Sequence, residues 1–463
     1  MVESDAPCPL REREVTLHAA GDLLGHLGRG QGGTLFISGE AGLGKTTVLD
    51  EVCRRAAAHV RVGFGRGDRM ETSLPFGLLE QALDGLGARD RLTPAGAGYA
   101  LGDARAARFL AVLRWLEATA AEQPVLIALD DLHWADEDSL SLLSFLCRRL
   151  SPSPVAVLGS LRPWPPSAAT MSASLAEAGL AAVEHLPPLS AQAADALLRE
   201  RAGRDLPADV TGRAWRVCAG NPLLLEQVAA ALARGNQVPE GAGEGWAQRA
   251  DGLLLWRFAG LDDAGMRCAR AASVLGTRFR GQLAVDVADL GSTDGDRALD
   301  ALCRSRLVRP ASTDSMEFVH PLFSQALYDD LPAPVRARLH ARAFRLLVRQ
   351  GRTAGAAEHA VRGDLAGDHE AVAVLERCGR TAVATGALST GARWLEAAVD
   401  CAGDGADPAL LVALADALLA GGRVDDAVRL CERLLLRTSV APQLRGDALR
   451  LLGRALYFRG THV

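Results

Sequence analysis

The apolar positions change period along the chain. Thr34 to Ser38 is a short β-type run preceded by glycine, and Thr47 to Arg55 continues with apolar residues at helical spacing. Val60 to Gly65, Val125 to Leu129 and Val155 to Pro163 read as further strands, separated by helical patterns at Ala106 to Ala121 and Ser139 to Leu150. Such β–α alternation predicts an α/β domain on a parallel sheet. The Gly-rich polar stretch Asn236 to Asp251 marks a boundary. Beyond it, helices over Asp263 to Ala272 and Asp296 to Cys303 lead into two short strands, Leu307 to Arg309 and Met316 to Val319, an order that suggests a winged helix. The last hundred residues repeat weakly, with Gly386-Ala387-Leu388 and Gly422-Arg423-Val424 standing 36 positions apart. The tetratricopeptide period is about 34. Small Ala415 and Ala427 would let paired helices approach, with Leu430 and Leu434 in the seam; a plain helical bundle is the alternative.

One motif adds chemistry to this pattern. Gly39-Glu40-Ala41-Gly42-Leu43-Gly44-Lys45-Thr46 matches G-x-x-x-x-G-K-[ST] between a strand and a helix, where a phosphate loop belongs. Glycines there turn backbone N–H groups inward, the helix N-terminus adds positive potential, Lys45 reaches the β/γ-phosphates, and Thr46 ligates Mg²⁺. The expected nucleotide contacts run from Gly39 to Thr47. Of 51 strong bases, Lys45 is the single lysine. An ammonium is a compact point charge that the planar guanidinium cannot replace in a tight cradle.

The strand ending at Leu129 is followed by Asp130-Asp131. Asp130 is the expected metal ligand and Asp131 the group that orients or polarises the attacking water, so Lys45 and Asp131 are the catalytic candidates. N-capping carboxylates at a strand-to-helix turn are the competing reading. Arg162, at the end of the fourth strand, is placed to sense a γ-phosphate or to be a solvated surface charge. An Asn-Lys-x-Asp guanine loop and a kinase strand lysine both require a lysine outside the phosphate loop, and none exists, so adenine is the favoured base.

At 463 residues and 49% hydrophobic, the chain has room for roughly three domains. A net charge of −5 gives no global basic field for nucleic acid. Nine cysteines without a C-x-x-C pair argue against zinc or a disulfide framework and for a reducing cytoplasm. No stretch approaches the roughly 18 apolar residues of a spanning helix, and the charged N-terminus lacks a signal-like core.

The ordered series "LREREVTL", "GEAGLGKTT", "ETSLPFGLLEQAL", "LIALDDLHWADEDSL", "LRP", "LPPLS", "AGNPLLLEQV" and "FVHPLFSQALYDDLPAPVRARLH" resembles the large ATP-binding regulators of the LuxR type, in the STAND branch of AAA-like ATPases. The resemblance implies a P-loop ATPase core over 1–190, a helical lid and linker over 191–250, a winged-helix-like domain over 251–350, and incomplete tetratricopeptide-like α-solenoid repeats over 351–463. It places Pro222 near the adenine and His320 on the nucleotide phosphate in the ADP-held state. Taken alone, Pro222 starts a helix and His320 is a structural histidine. Further implications are a switch that binds ATP and Mg²⁺ and hydrolyses slowly, an effector or protein partner on the repeats, and nucleotide-dependent self-association. Slow turnover also fits Asp131 in place of the glutamate usual in fast motors. Arg304, Arg306 and Arg309 are basic enough for DNA, yet in such regulators this domain packs on the ATPase core, so no direct DNA binding is expected. The LuxR-type output lies beyond the repeats and is expected to be missing here, with Gly460 opening a turn and Leu452, Leu456 and Phe458 left without a partner helix. Other outputs on the same module, a cyclase or kinase, and a stand-alone ATP-dependent enzyme are the alternatives.

Overall fold

A computed structural model describes residues 10–70, 74–88, 101–233, 258, 260–437 and 440–460. Three sequence expectations fall outside these residues: the start of "ETSLPFGLLEQAL", the polar boundary at 236–251, and the chain ends.

Five strands, β1 (Gly33–Ser38), β2 (Arg61–Arg66), β3 (Val125–Asp130), β4 (Val155–Leu161) and β5 (Ala182–His185), form one sheet in the order β2-β3-β4-β1-β5. All pairings are parallel. Helices cover both faces, so both faces are apolar. Leu35, Ile37, Leu126, Ala128, Ala156 and Leu158 pack towards α1 (Glu14–Gly28) and α2 (Lys45–Ala56). Phe36, Ile127, Leu129 and Val157 face the other way, towards α3 (Gly77–Gly85), α4 (Leu101–Glu122), α5 (Glu137–Cys147) and α6 (Pro166–Glu177). This near-continuous hydrophobicity is what a doubly covered parallel sheet requires. The fifth strand, half-exposed and only Ala182–His185, had no counterpart in the sequence reading.

Helices α7 (Ala191–Ala202), α8 (Ala208–Cys218) and α9 (Pro222–Ala233) follow. Their core runs on into the next region through Leu197, Leu225, Phe279, Phe318 and Phe323. That region holds α10 (Asp263–Leu275), β6 (Arg278–Arg280), α11 (Gly281–Ala288), α12 (Ser292–Arg304), β7 (Val308–Pro310), β8 (Ser315–Phe318), α13 (Pro321–Asp330) and α14 (Ala333–Arg349). Its sheet is antiparallel in the order β6-β8-β7, three strands where the sequence suggested two. β6 is too short for a period to register. Arg304 pairs with Asp300, and Arg309 and Arg278 share Glu317, so these basic residues are locally neutralised.

The remaining helices, α15 (Thr353–Arg362), α16 (His369–Ala384), α17 (Leu388–Ala402), α18 (Pro408–Ala420), α19 (Val424–Leu436) and α20 (Pro442–Gly460), pack each on its neighbour in sequence. Ala415, Ala427, Leu430 and Leu434 are buried between them. Two corrections arise at the end. Gly460 is the last residue of α20 rather than a turn, and Leu452 packs on the core, leaving Leu449, Leu456 and Tyr457 exposed on that helix.

The array docks on the parallel-sheet region. Asp138, on the first turn of α5 and buried, accepts the backbone N–H groups of Ser389 (3.3 Å) and Thr390 (3.1 Å), so it caps α17 from another part of the chain. Gly386 has φ +84°, and a Cβ there would come within 3.1 Å of the Arg105 backbone on α4.

Candidate nucleotide site

Strand register builds the site. Ser38 at the end of β1 pairs with Leu161 at the end of β4, and Asp130 at the end of β3 lies beside Arg66 of β2. The phosphate loop, Arg162, Asp131 and Arg66 therefore gather at the carboxyl edge of the sheet, where ligands of open α/β folds bind. Because β4 lies between β1 and β3, Arg162 enters beside Lys45 and the acidic pair.

A cavity of about 180 Å³ opens there, lined by the loop from Ala41 to Thr47 and by Asp131, Arg162, Pro222 and His320. Gly39 and Glu40 stand outside the lining: their carbonyls accept from the Lys45 ammonium at 2.8 Å each. That arrangement parks the lysine within its own loop. Burial pushes the Lys45 ammonium down to about 8, opposed by Asp131 and by Asp130. Gly42 has φ +79°, and a Cβ there would meet the Asn221 amide at 2.7 Å, so glycine is required both for conformation and for close approach.

Asp130 is fully buried and does not line the cavity. Thr46 Oγ1 donates to its Oδ2 at 2.9 Å, Ser160 Oγ to its Oδ1 at 2.6 Å, and Arg66 Nε to Oδ2 at 3.0 Å. A hydroxyl and a carboxylate held side by side suit Mg²⁺, a hard cation that takes a few oxygen ligands from protein and the rest from phosphate and water. No group of three or more His, Cys, Asp or Glu side chains that could hold a metal occurs among the described residues. The Asp131 carboxyl reaches the cavity. Its backbone is left-handed, φ 55°, and its N–H donates to Ser160 Oγ at 2.9 Å. Burial, then the neighbouring Asp130, raises its carboxyl above the usual range, while Arg162, Lys45 and Arg66 oppose that. Such sparsely populated backbone persists where surroundings over-determine it.

Arg162 lines the cavity and donates from Nη1 to Gln325 Oε1 of α13 at 2.9 Å, so it bridges to the region after the lid. Desolvation lowers its guanidinium, chiefly against the pull of Asp131. His320 caps α13 by accepting the Leu322 N–H on Nδ1 at 3.2 Å. Desolvation, followed by Arg162, pushes His320 down to about 4.

Sequence reasoning missed several partners. Asn221, in the quoted "AGNPLLLEQV", donates to Ala41 O at 2.7 Å and accepts the Leu223 N–H at 3.1 Å, tying the start of α9 to the phosphate loop while capping that helix. Arg13 is buried and donates to Leu43 O at 3.0 Å. Leu10, Leu189, Leu197 and Leu223 form an apolar flank around Pro222. His133 is buried with both ring nitrogens unpartnered, Nδ1 3.7 Å from Asp131 Oδ1. Its position two residues after the acidic pair was the available signal.

Residues 8–158 match the family profile of the AAA ATPase domain. An uncharacterized protein of Rhizobium meliloti (strain 1021) is 27% identical over 450 residues, covering 85% of this chain and 43% of the relative. The chain thus spans less than half the length of that relative. Among solved structures, a Signal Transduction ATPase with Numerous Domains carrying a tetratricopeptide repeat sensor, from Pyrococcus horikoshii, superimposes with TM-score 0.57 at 16% identity, over 95% of this chain and 62% of that one. Residues 8–158 are thus similar to AAA ATPase domains, and the fold running from them through the helical array is similar to that of a STAND ATPase.

Proposed function

We propose that the chain is the ATP-binding switch of a LuxR-type regulator, with ATP and Mg²⁺ in the cavity and slow hydrolysis resetting the state. One observation carries this reading: the cavity takes its wall from three regions at once, with Lys45, Thr46 and Asp131 from the sheet domain, Pro222 and Leu223 from the lid, and His320 from the winged-helix-like region. A ligand there touches every body whose relative position could change. A ligand shifts a conformational equilibrium only through differential contacts, and this site supplies them.

Each residue then has a task. Loop N–H groups from Gly42 to Thr47 cradle the phosphates, and Lys45 leaves the Gly39 and Glu40 carbonyls for the β/γ-phosphate oxygens. Thr46 and Asp130 would hold Mg²⁺, which neutralises phosphate charge when bound. Asp131 accepts a hydrogen bond from the attacking water and orients it along the γ-phosphate axis. Arg162 reads the γ-phosphate; engaging it competes with Gln325, so the contact to α13 reports the nucleotide state. Pro222 and the leucines take the base. DNA reading stays outside this chain, in keeping with the ion pairs on Arg304 and Arg309. The helical array receives the effector or protein partner, and exchange of nucleotide governs self-association.

Small-angle scattering tests the switch. The radius of gyration with Mg²⁺ and a non-hydrolysable ATP analogue should exceed that with MgADP. Identical scattering from both saturated states would show a nucleotide site without a switch.

A further inference from the structure

The nucleotide cavity continues away from the lid. Asp131, Arg162 and Pro321 line both it and a second space, whose other walls include Asp68, Arg69, Trp134 and Tyr328. Arg69, Trp134 and Tyr328 in turn line a third space of about 490 Å³, completed by Ala333, Arg336, Ala337 and Arg362. These three spaces, linked by shared wall residues, run in line from the phosphate-loop cavity outward.

The middle is a neck. Its volume is about 20 Å³, room for one or two waters when one probe sphere needs roughly 10–15 Å³. Gln325, hydrogen-bonded to Arg162, stands in its wall.

Arginines outnumber carboxylates along the passage. Arg162 lies at the inner end, Arg69 in the neck, and Arg69, Arg336 and Arg362 around the outer space, which no acidic side chain lines. Two acids line the neck: Asp131 at its inner end, beside Arg162, and Asp68, which is occupied by the backbone N–H groups of Met70 and Thr277 at 2.7 Å each. Each arginine is also held by protein: Arg69 pairs with Asp329, Arg362 with Glu358 and the Arg69 carbonyl (3.0 Å), and Arg336 donates to the Tyr328 carbonyl (3.4 Å), the two acids lying outside the lining. Guanidinium groups stack on Tyr328, Arg69 at 4.4 Å and Arg336 at 5.0 Å from the ring centroid, which holds them spread across the opening. Fixed guanidiniums of this kind recognise phosphate through paired N–H donors.

We infer that the outer opening is a binding site for inorganic phosphate and the exit by which the hydrolysis product leaves, gated by Gln325 at the neck. The lid and the base flank the other side of the nucleotide, so phosphate has a way out while ADP stays. This rests on the assignment of the cavity as the nucleotide site.

The test titrates inorganic phosphate into the full chain saturated with MgADP, at constant ionic strength, with calorimetric readout. Saturable binding is expected, weakened at least tenfold by Arg336→Ala and lost in Ala337→Trp, which fills the opening. MgADP affinity should be the same in all three proteins. Phosphate binding that both variants leave unchanged would overturn the site, as would binding that vanishes once ADP is present, since the phosphate would then sit in the P-loop. A phosphate monoester such as glycerol phosphate, if bound tenfold more tightly at the same Arg336-dependent site, would make the occupant an effector from solution and remove the exit role. Should wild type fail to bind MgADP, the nucleotide reading fails instead; phosphate titrated into the free chain then still decides whether Arg336 holds an anion.

Discussion

The two ends of the nucleotide cavity are built in opposite ways. The phosphate end comes from contiguous turns at the edge of one sheet, so each residue's place follows from strand register: Lys45 after β1, Asp131 after β3, Arg162 after β4. The other end, where the base is proposed to bind, is assembled from Leu10 and Arg13 before the first helix, Leu189 and Leu197 before and on α7, and Pro222 and Leu223 at the start of α9. One end is local chemistry on a rigid frame, and the other exists only while separate segments stay together. Affinity should therefore concentrate in the first and sensitivity to domain arrangement in the second.

The strongest way to break this contrast is Lys45→Ala. Removing the ammonium should weaken MgATP binding at least a hundredfold by calorimetry with the circular dichroism spectrum retained. An unchanged affinity would mean that the loop does not hold phosphates. Next is Asp131→Asn, which keeps the shape and removes the charge. Single-turnover hydrolysis should fall about a hundredfold or more, the range of positioned acid–base groups, while MgATP still binds. Equal rates would remove Asp131 from the chemistry.

Leu10→Ala probes the other end. Half-buried beside the cavity, Leu10 should contribute about 1 kcal/mol through its apolar area. ATP affinity should fall about fivefold, with AMP affected by the same factor and tripolyphosphate not at all. Loss of tripolyphosphate binding would show that the ends are not separable.

The smallest effect concerns His320, held down to about 4 chiefly by desolvation. An unfolded histidine titrates near 6.5. Between about pH 6.5 and 4 the unfolded chain therefore binds the extra proton, and this residue's share of stability is lost as pH falls through that window. Raised carboxyls such as Asp136, pushed to about 6, work in the opposite sense. The difference between proteins isolates the histidine. His320→Asn retains an acceptor for the Leu322 N–H, and its melting temperature should drop less than wild type on going from pH 6.5 to 5. Parallel curves would mean that His320 is protonated freely in the folded protein.

The same contrast explains what the sequence made legible. A phosphate loop is written in consecutive residues, and an apolar run ending in two aspartates announces a strand edge, so Lys45, Thr46, Asp130 and Asp131 could be placed before any coordinates. The quoted "LREREVTL" contains Arg13, but nothing in its pattern says that the guanidinium reaches the Leu43 carbonyl. Asn221 stood in a recognised stretch without a role of its own, and its hold on Ala41 depends on how α9 approaches the loop. β6 is three residues long, below any detectable period. The repeat of Gly386 and Gly422 was visible because each falls in a turn before a helix, with φ +84° and +83°. The docking of one of those turns against α4 was not.

Asp138 gives that docking a further meaning. The first N–H groups of any helix lack intrahelical acceptors, and a capping side chain normally stands just before them on the same strand of chain. At α17 the carboxylate comes instead from 251 and 252 positions upstream. If the array swings away, those amides must find water, and losing a cap costs a helix about 1 kcal/mol. The first turn of α17 should then fray, so its amide protons would exchange with solvent faster the moment the bodies part. A change of position is thereby translated into a change of local order at Ser389 and Thr390, and release from the ATPase domain leaves the array melted at its edge rather than merely displaced.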